Sequence, residues 1–157
     1  MSILQISQAE AAVITQRLAE LKAEDKAAIA ELAEATRGGM ESTADNGAFD
    51  TAQDKKNLAE TSLSKVEKLL AQATVVEADG SEVAIGTEVH CIDEDAGSEM
   101  TFKLAGDGAW LMDESWASAR APIGLALLGA KPNEMRRMKM GVRERSLRVI
   151  SIKIAQK

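Results

Sequence analysis

The chain is 157 residues long, carries a formal net charge of −6 and contains only 3% aromatic residues. This length allows one domain or two small ones, and the abundant Ala favours thin helix–helix packing over a large core. The single cysteine, Cys91, excludes an intramolecular disulfide framework and is typical of a reducing compartment. No run of about 18 apolar residues and no secretory signal pattern occurs, so we expect a cytoplasmic protein without membrane contact.

The charge is distributed unevenly along the chain. Residues 1–77 carry 8 basic and 13 acidic side chains, residues 78–119 carry 1 and 10, and residues 120–157 carry 10 and 2. The basic C-terminal segment has two interpretations of similar weight. In the first, it binds an acidic partner or nucleic acid. In the second, it neutralises the acidic strands beside it in the same domain.

The first long segment has the periodicity of a helix. Ser7 followed by Glu10 is a plausible capping box, and the pattern stops at the glycine pair 38–39. Apolar residues recur at alternating spacings of four and three, and Asp25 is the single charged position in this seam. The seam consists of Ile14, Leu18, Leu21, Asp25, Ala28, Leu32 and Ala35.

A second segment repeats the same spacing, which is the heptad pattern of a coiled coil. Its seam consists of Ala52, Lys56, Ala59, Leu63, Val66, Leu70 and Ala73. A short connection makes the two helices antiparallel, so that Ala35 faces Ala52 and the apolar layers match as far as Ala73. We therefore predict a coiled-coil rod over residues 1–77, about 45 Å long at 1.5 Å per residue.

An acidic, glycine-punctuated segment at about 38–50 interrupts the two helical patterns. In an antiparallel pair this segment becomes the tip of the rod, which carries Glu41, Asp45 and Asp50. Carboxylates held at the end of a rigid rod can be delivered into the active site of another protein.

Residues 78–157 show a different period, with short runs of strand character after a turn-rich stretch at 77–81. The predicted strands are 83–85, 87–92, 100–104 and 147–154, with a hairpin connection at 93–98 and a short helix at 122–129. In the last strand, alternation places Leu147, Val149, Ser151 and Lys153 on one face and Arg148, Ile150, Ile152 and Ile154 on the other. The sequence thus predicts an α+β fold, in which a two-helix coiled coil precedes a small β-rich domain with one helix.

Other chemistry-bearing residues form no strong motif. His90 and Cys91 are adjacent on a predicted strand, so their side chains point to opposite faces and cannot form a metal pair. Residues 135–140 alternate methionines with basic residues, and we interpret them as a surface loop, with a partner contact as the alternative. The sequence contains no phosphate-binding glycine loop, Ser–His–Asp set or CxxC motif, so we do not expect the chain to be an enzyme by itself.

Residues 118–129 read Ser-Ala-Arg-Ala-Pro-Ile-Gly-Leu-Ala-Leu-Leu-Gly, with Glu134 following. This stretch closely resembles the C-terminal signature of the bacterial Gre transcript-cleavage factors. Residues 18–22 and Ile29 resemble the first helix of the family's coiled coil, and residues 45–49 resemble its tip sequence Glu-Asn-x-Glu-Tyr. The resemblance extends over nearly the whole chain.

The resemblance implies a monomeric accessory factor whose FKBP-like C-terminal domain, residues 78–157, docks on RNA polymerase. The coiled coil then enters the secondary channel, where its tip contacts the backtracked RNA 3′ end and stimulates the polymerase to cleave it. No cofactor is tightly bound, but a Mg²⁺ is shared with the polymerase active site, and such a metal suits one or two carboxylates plus water. The implied site residues are Asp45 and Glu41 as metal ligands with Asn46 beside them, Phe49 and Asp50 as tip support, and Pro122, Ile123 and Gly124 as docking residues.

The chain also departs from the family pattern, mainly at the tip. Ser42 stands where the family's first acid falls, Asp45 is one methylene shorter than the usual Glu, and Ala48 and Phe49 replace an acid and a Tyr. Ala121 replaces the Ser before the proline, and Asn133 stands at an acidic or glycine position of the family pattern. An inhibitory relative that occupies the channel without cleavage is therefore one alternative.

The sequence leaves two further alternatives for the function. An FKBP-like isomerase or chaperone is one, although its prolyl pocket would normally need several aromatic walls. A coiled-coil scaffold with no link to polymerase is the other.

Overall fold

The structure is a computed structural model that describes residues 4–39 and 47–155. Its helices and strands follow in the order β1 (Leu4–Ile6), α1 (Gln8–Gly39), α2 (Gly47–Gln72), β2 (Ala73–Val75), β3 (Thr87–Asp93), β4 (Ser98–Ala105), β5 (Trp116–Ser118), α3 (Pro122–Leu127), β6 (Met135–Met140) and β7 (Arg143–Ile154). The predicted α+β architecture is confirmed. By their contacts, Ile14–Ala71 form one unit, and the residues up to Val13 form the other together with those from Gln72 onward.

The start of α1 is fixed by the predicted capping box. The Glu10 backbone N–H donates to Ser7 Oγ at 3.1 Å, and the Ser7 N–H donates to Glu10 Oε2 at 2.7 Å. The same carboxylate accepts two distant backbone N–H groups, Gly106 at Oε2 and Gly108 at Oε1, each at 2.9 Å. Glu10 is completely buried, and these bonds compensate its removal from water.

The seam positions of the two long helices point inward as predicted. Every one of them is buried or half-buried, and the most buried are Ile14, Leu21, Ala28, Ala52 and Val66. An ion pair of 3.1 Å joins Lys55 Nζ to Glu31 Oε1, which matches an antiparallel register with Ala35 opposite Ala52. Such an exposed pair contributes little energy, so the apolar seam is the main stabilising feature.

The helical seam ends earlier than predicted. Ala73 does not belong to α2 but begins β2, which pairs in parallel with β1 through the register Leu4↔Ala73. The seam therefore closes at Leu70, and β1 and β2 form a separate two-stranded sheet.

The five remaining strands form one sheet in the order β5-β4-β3-β7-β6, which is antiparallel except for the β4–β5 pair. The predicted hairpin is confirmed, since Asp93 pairs with Ser98 across the β3–β4 turn. The strand predicted at 83–85 is wrong. Val83 is buried in a loop, where its backbone exchanges bonds of 2.8 Å with Gly129 and Ala130, so its apolar character reflects burial.

The interpretation of residues 135–140 as a loop is also wrong. They form β6, an edge strand, and Met138 is buried while Met135 and Met140 stay exposed. Alternation of apolar and basic residues indicates a strand of which one face is partly covered. The presence of Arg and Lys on an edge strand is a common protection against unwanted strand pairing.

The clean alternation predicted for the last strand is interrupted by a β-bulge. His90 pairs with Ser151 and Cys91 pairs with Val149, so Ile150 has no opposite residue. The extra residue shifts the later positions, and Ile152 joins the core side together with Leu147 and Val149. The prediction that Ile152 faces away from Leu147 is therefore wrong.

A hydrophobic cluster lies between α3 and the five-stranded sheet. Its buried members are Val83, Val89, Cys91, Leu104, Ala119, Leu127, Ala130, Met138, Leu147 and Val149. No helix in the described parts of the chain combines the length and the apolar character needed to cross a membrane.

A buried carboxylate holds the β3–β4 turn to β7. Asp93 is 1% exposed, and Arg145 Nη1 donates to its Oδ2 at 2.7 Å. The backbone N–H groups of Asp95 and Ala96 donate to Oδ1 at 3.0 and 3.1 Å. The hydrogen bond from Arg145, supported by these N–H groups, lowers the pKa of Asp93 below its usual value of 3.8.

The Asp93 contacts predict a pH-dependent contribution to stability. Because the pKa is lowered in the folded state, the contribution is present above pH 3.8 and is lost as the pH falls through the folded pKa. We expect Asp93→Asn to lower the melting temperature by several degrees at pH 7, and the difference from wild type to shrink below pH 3.8. Glu94→Gln removes a more exposed pair with Arg148 and should have a much smaller effect, as measured by thermal circular dichroism. Equal effects of the two variants at pH 7 would contradict this account.

The helical seam contains one unfavourable feature. Asp25 Oδ1 is buried and has no hydrogen-bond partner among the described residues, although Asp25 occupies a position that the heptad pattern assigns to an apolar residue. An unsatisfied buried polar atom typically costs about 1–3 kcal/mol.

We expect Asp25→Leu to raise the free energy of unfolding of the helical unit by about 1–2 kcal/mol, because it removes the unsatisfied oxygen and extends the apolar seam. Urea denaturation followed by the helical circular dichroism signal measures this change. Lys26→Leu, at the exposed neighbouring position, is the matched control and should stay within about 0.5 kcal/mol of wild type. A destabilised Asp25→Leu protein would show that the carboxylate makes a favourable contact instead.

Candidate functional site

The predicted tip comprises the residues between α1 and α2 in the sequence. Residues 40–46 lie outside the described residues, and with them Glu41, Asp45 and Asn46. The two support residues are described: Phe49 is half-buried and Asp50 is exposed, both in the first turn of α2. An acidic side chain there interacts favourably with the helix dipole, which suffices to explain Asp50 structurally.

The predicted docking residues lie at the start of α3 but have different surroundings. Pro122 is exposed at the first turn of the helix, where its fixed φ is favourable. Ile123 packs partly against the hydrophobic cluster. Gly124 is buried, and a Cβ built on it would lie 2.3 Å from the Ser118 carbonyl oxygen. Gly124 therefore permits the close approach of α3 to the chain before it.

Two leucines of this segment are exposed to solvent and lie outside the hydrophobic cluster. Leu125 is 66% and Leu128 is 43% exposed, whereas Leu127 is completely buried. Pro122, Leu125 and Leu128 are spaced by three residues, which places them along one side of a short helix. This three-residue spacing is the only sequence feature that points to an exposed side of α3. A helix this short does not contain enough turns for its periodicity to show which side is buried.

The segment that precedes α3 is connected to the loop that Glu10 holds. Asp107 Oδ2 accepts the Gln5 N–H at 2.7 Å, and its Oδ1 accepts Arg120 Nε at 2.9 Å. Ala121 is the N-cap residue of α3 and provides no side-chain cap, so the serine usual in the family signature would add one here.

Asn133, another departure from the family pattern, has a φ of 70°. This left-handed conformation is one that Gly and Asn adopt most readily. The substitution therefore keeps the backbone that a glycine would allow, and the Asn133 N–H donates to the Val149 carbonyl at 2.7 Å.

His90 and Cys91 lie on opposite faces of β3, as predicted. Cys91 is completely buried, and burial, together with the nearby Asp93 charge, raises the pKa of its thiol to about 11. His90 is half-exposed, with its Nε2 3.8 Å from Glu99 Oε1. Over residues 4–39 and 47–155, no cluster of three His, Cys, Asp or Glu side chains could hold a metal ion.

Comparison with known proteins gives consistent family assignments. The family model described as transcription elongation factor, GreA/GreB, C-terminal, matches residues 78–154. The transcription elongation factor GreA of Thioalkalivibrio sulfidiphilus is 26% identical over 158 residues, covering 98% of this chain and 99% of the relative. The GreA of Maridesulfovibrio salexigens is 30% identical over 132 residues, covering 82% of this chain and 81% of the relative.

Among solved structures, GreA factor homolog 1 (Gfh1) of Thermus thermophilus is 20% identical, covering 97% of this chain and 99% of its own. Its TM-score of 0.46 is too low to support any inference about this chain. The assignment depends instead on the sequence relatives, whose matches extend over both the helical segments and the β-rich segment. The chain belongs to the GreA/GreB family of transcription elongation factors.

Proposed function

We propose that this protein binds RNA polymerase, inserts its helical rod into the secondary channel and stimulates the polymerase's own cleavage of backtracked RNA. The main observation in support is the helix pair itself. In a chain of this family, an inward-facing seam packs α1 against α2, and the sequence between the two helices is acidic. At 1.5 Å per residue, the 32 residues of α1 span about 48 Å.

The surface of the helix pair suits entry into a water-filled channel. Outside the seam, the two helices present charged residues interspersed with alanines and uncharged polar residues, and ion pairs such as Arg17–Glu20 and Lys56–Glu60 join several of the charged ones. These pairs hold opposite charges close together, and the large apolar side chains exposed on the described parts of the two helices are Ile29 and Leu58. The acidic segment is then the chemically distinctive part of the rod.

The donor set of that segment fits the divalent ion that the family implies. Glu41 and Asp45 provide carboxylate oxygens, the hard ligands that Mg²⁺ prefers, and they would hold the ion together with groups of the polymerase. Such an ion would polarise the scissile phosphate and activate a water molecule. On this proposal the chain is not an enzyme, because the polymerase contributes the active site and this protein completes it.

Docking is assigned to the exposed side of α3. Pro122, Leu125 and Leu128 offer an apolar strip that no other part of the described chain covers. Ile123 and Gly124, the other two predicted docking residues, act beneath this strip by anchoring α3 to the hydrophobic cluster and to residue 118.

A second candidate function is inhibition through the same docking. It is favoured by the tip sequence, because Ser42 and Ala48 stand where the family pattern has acids. Fewer carboxylates at the tip would hold the shared ion less firmly while still filling the channel. The isomerase alternative is not favoured, because a prolyl pocket normally needs several aromatic walls and the chain contains only 3% aromatic residues.

The first test of the proposal is RNA shortening in stalled, backtracked elongation complexes. We expect the wild-type protein to produce shortened RNA, and Asp45→Ala to abolish the cleavage while leaving binding to the polymerase unchanged. Asp54→Ala, at an exposed position in α2, removes an equal charge away from the assigned tip residues and should cleave close to the wild-type rate. Full cleavage by Asp45→Ala would refute the site assignment. Wild-type inhibition of synthesis without shortening would support the inhibitory function.

The second test concerns docking. Leu125→Ser should raise the Kd for core RNA polymerase about tenfold, because burying a leucine side chain contributes about 1.5–3 kcal/mol. Fluorescence anisotropy with labelled protein measures the Kd. Ile154→Ser, at another exposed apolar residue of the same unit, is the matched control and should bind like wild type. Equal affinities of the two variants would show that α3 is not the docking element.

A further inference from the structure

The β6–β7 hairpin ends in an unusual tip, residues 139–143. Met140 pairs with Arg143, so Gly141 and Val142 form the turn, and Gly141 has the positive φ of 63° that this turn needs. Val142 is fully exposed, at 103%, and Met140 is 53% exposed. A turn normally carries polar residues, so a valine and a methionine here present apolar surface to the solvent.

The same tip carries surplus positive charge. Residues 135–145 contain five basic side chains and one acidic side chain. Arg136 pairs with Glu134, Arg145 with Asp93, and Arg137 with Glu144. Among the described residues, Lys139 and Arg143 enter no ion pair, and they flank the two exposed apolar residues of the tip.

The tip shares a side of the sheet with the proposed docking helix. Met138 is buried in the same cluster as Leu127 of α3, and Met140, two residues further along β6, points to the same side. Arg136 connects the two elements, because its Nη1 donates to the Leu128 carbonyl at 3.4 Å. The exposed leucines of α3, Met140 and its partner Arg143 therefore belong to one side of the domain, whereas Lys139 borders the tip from the other side.

We propose that the hairpin tip is a second contact with RNA polymerase, on a part of the polymerase surface that is acidic around an apolar pocket. Val142 and Met140 supply the apolar contact, and Lys139 and Arg143 supply the complementary charges at its edge. This inference rests on the proposed function, since it extends the α3 contact with the same partner.

The magnitudes favour a protein partner over nucleic acid or a membrane. Phosphate-driven binding of nucleic acid typically uses roughly 6–10 cationic contacts, whereas this tip has two unpaired cations on a chain with a net charge of −6. Two apolar side chains also bury far less than the single acyl chain that already gives only marginal membrane binding. A small apolar anchor with a charged rim is instead the composition of a protein–protein contact.

The test measures the Kd for core RNA polymerase as a function of salt. Val142→Ser should raise the Kd about tenfold, as expected for the loss of a buried valine side chain. The double variant Lys139→Glu/Arg143→Glu should raise it at least tenfold at low salt, and its deficit should shrink as salt screens the charges. The conservative double variant Lys139→Arg/Arg143→Lys should bind like wild type. Val75→Ser, at an exposed valine of β2, is the matched apolar control.

Several outcomes would overturn the inference. If wild type and Leu125→Ser differ in polymerase affinity but all tip variants bind like wild type, the tip is not a contact, although the proposed function stands. If wild type itself does not bind the polymerase, the proposed function fails and this inference fails with it. A tip variant that alters only self-association in light scattering, or only affinity for free RNA or for anionic vesicles, assigns the tip to that other partner. Melting temperatures equal to wild type confirm that the variants are folded.

Discussion

The buried carboxylate of Glu10 is the constraint on which much of the architecture depends. It accepts backbone N–H groups from Ser7, Gly106 and Gly108, so one side chain both begins α1 and shapes a loop almost a hundred residues away. A buried carboxylate is tolerated only when such charge-assisted bonds replace its water. The loop it holds also contains Asp107, which contacts Gln5 and Arg120, and Arg120 lies directly before α3. The start of the first helix and the segment that enters α3 thus belong to one hydrogen-bonded network.

The two units obtain their stability in different ways. In the helical unit, small and medium apolar residues stack along a seam. Each layer buries little apolar area, so the stability of the unit depends on the number of layers along the two long helices. In the other unit, α3 closes one face of the sheet, and Leu127, Met138 and Leu147 interdigitate within a single cluster. Gly124 is essential to this closure, because any side chain there would collide with the backbone at residue 118.

Features that depend on local periodicity could be predicted from the sequence. The capping box at Ser7 and Glu10 and the heptad seams follow from spacings within one helix, and the β3–β4 hairpin follows from its turn residues. Features that depend on distant partners could not. The bulge at Ile150 exists only because β7 pairs with β3, and the loop position of Val83 follows from its bonds to residues 129 and 130. The exposure of Leu125 could not be predicted either, because the strands that bury the opposite side of α3 are distant from it in sequence. The roles of Glu41 and Asp45 come from family resemblance and remain predictions.

The burial of Cys91 has a practical consequence for studying this molecule in motion. Its thiol is enclosed in the core and stays protonated at neutral pH, so we expect it not to react with thiol-directed reagents in the folded protein. Because the chain contains no other cysteine, one cysteine introduced at a chosen surface position becomes the single point at which a dye or spin label attaches. The native sequence is therefore already suited to spectroscopic distance measurements, in which the position of the rod end could be followed before and after a partner is added.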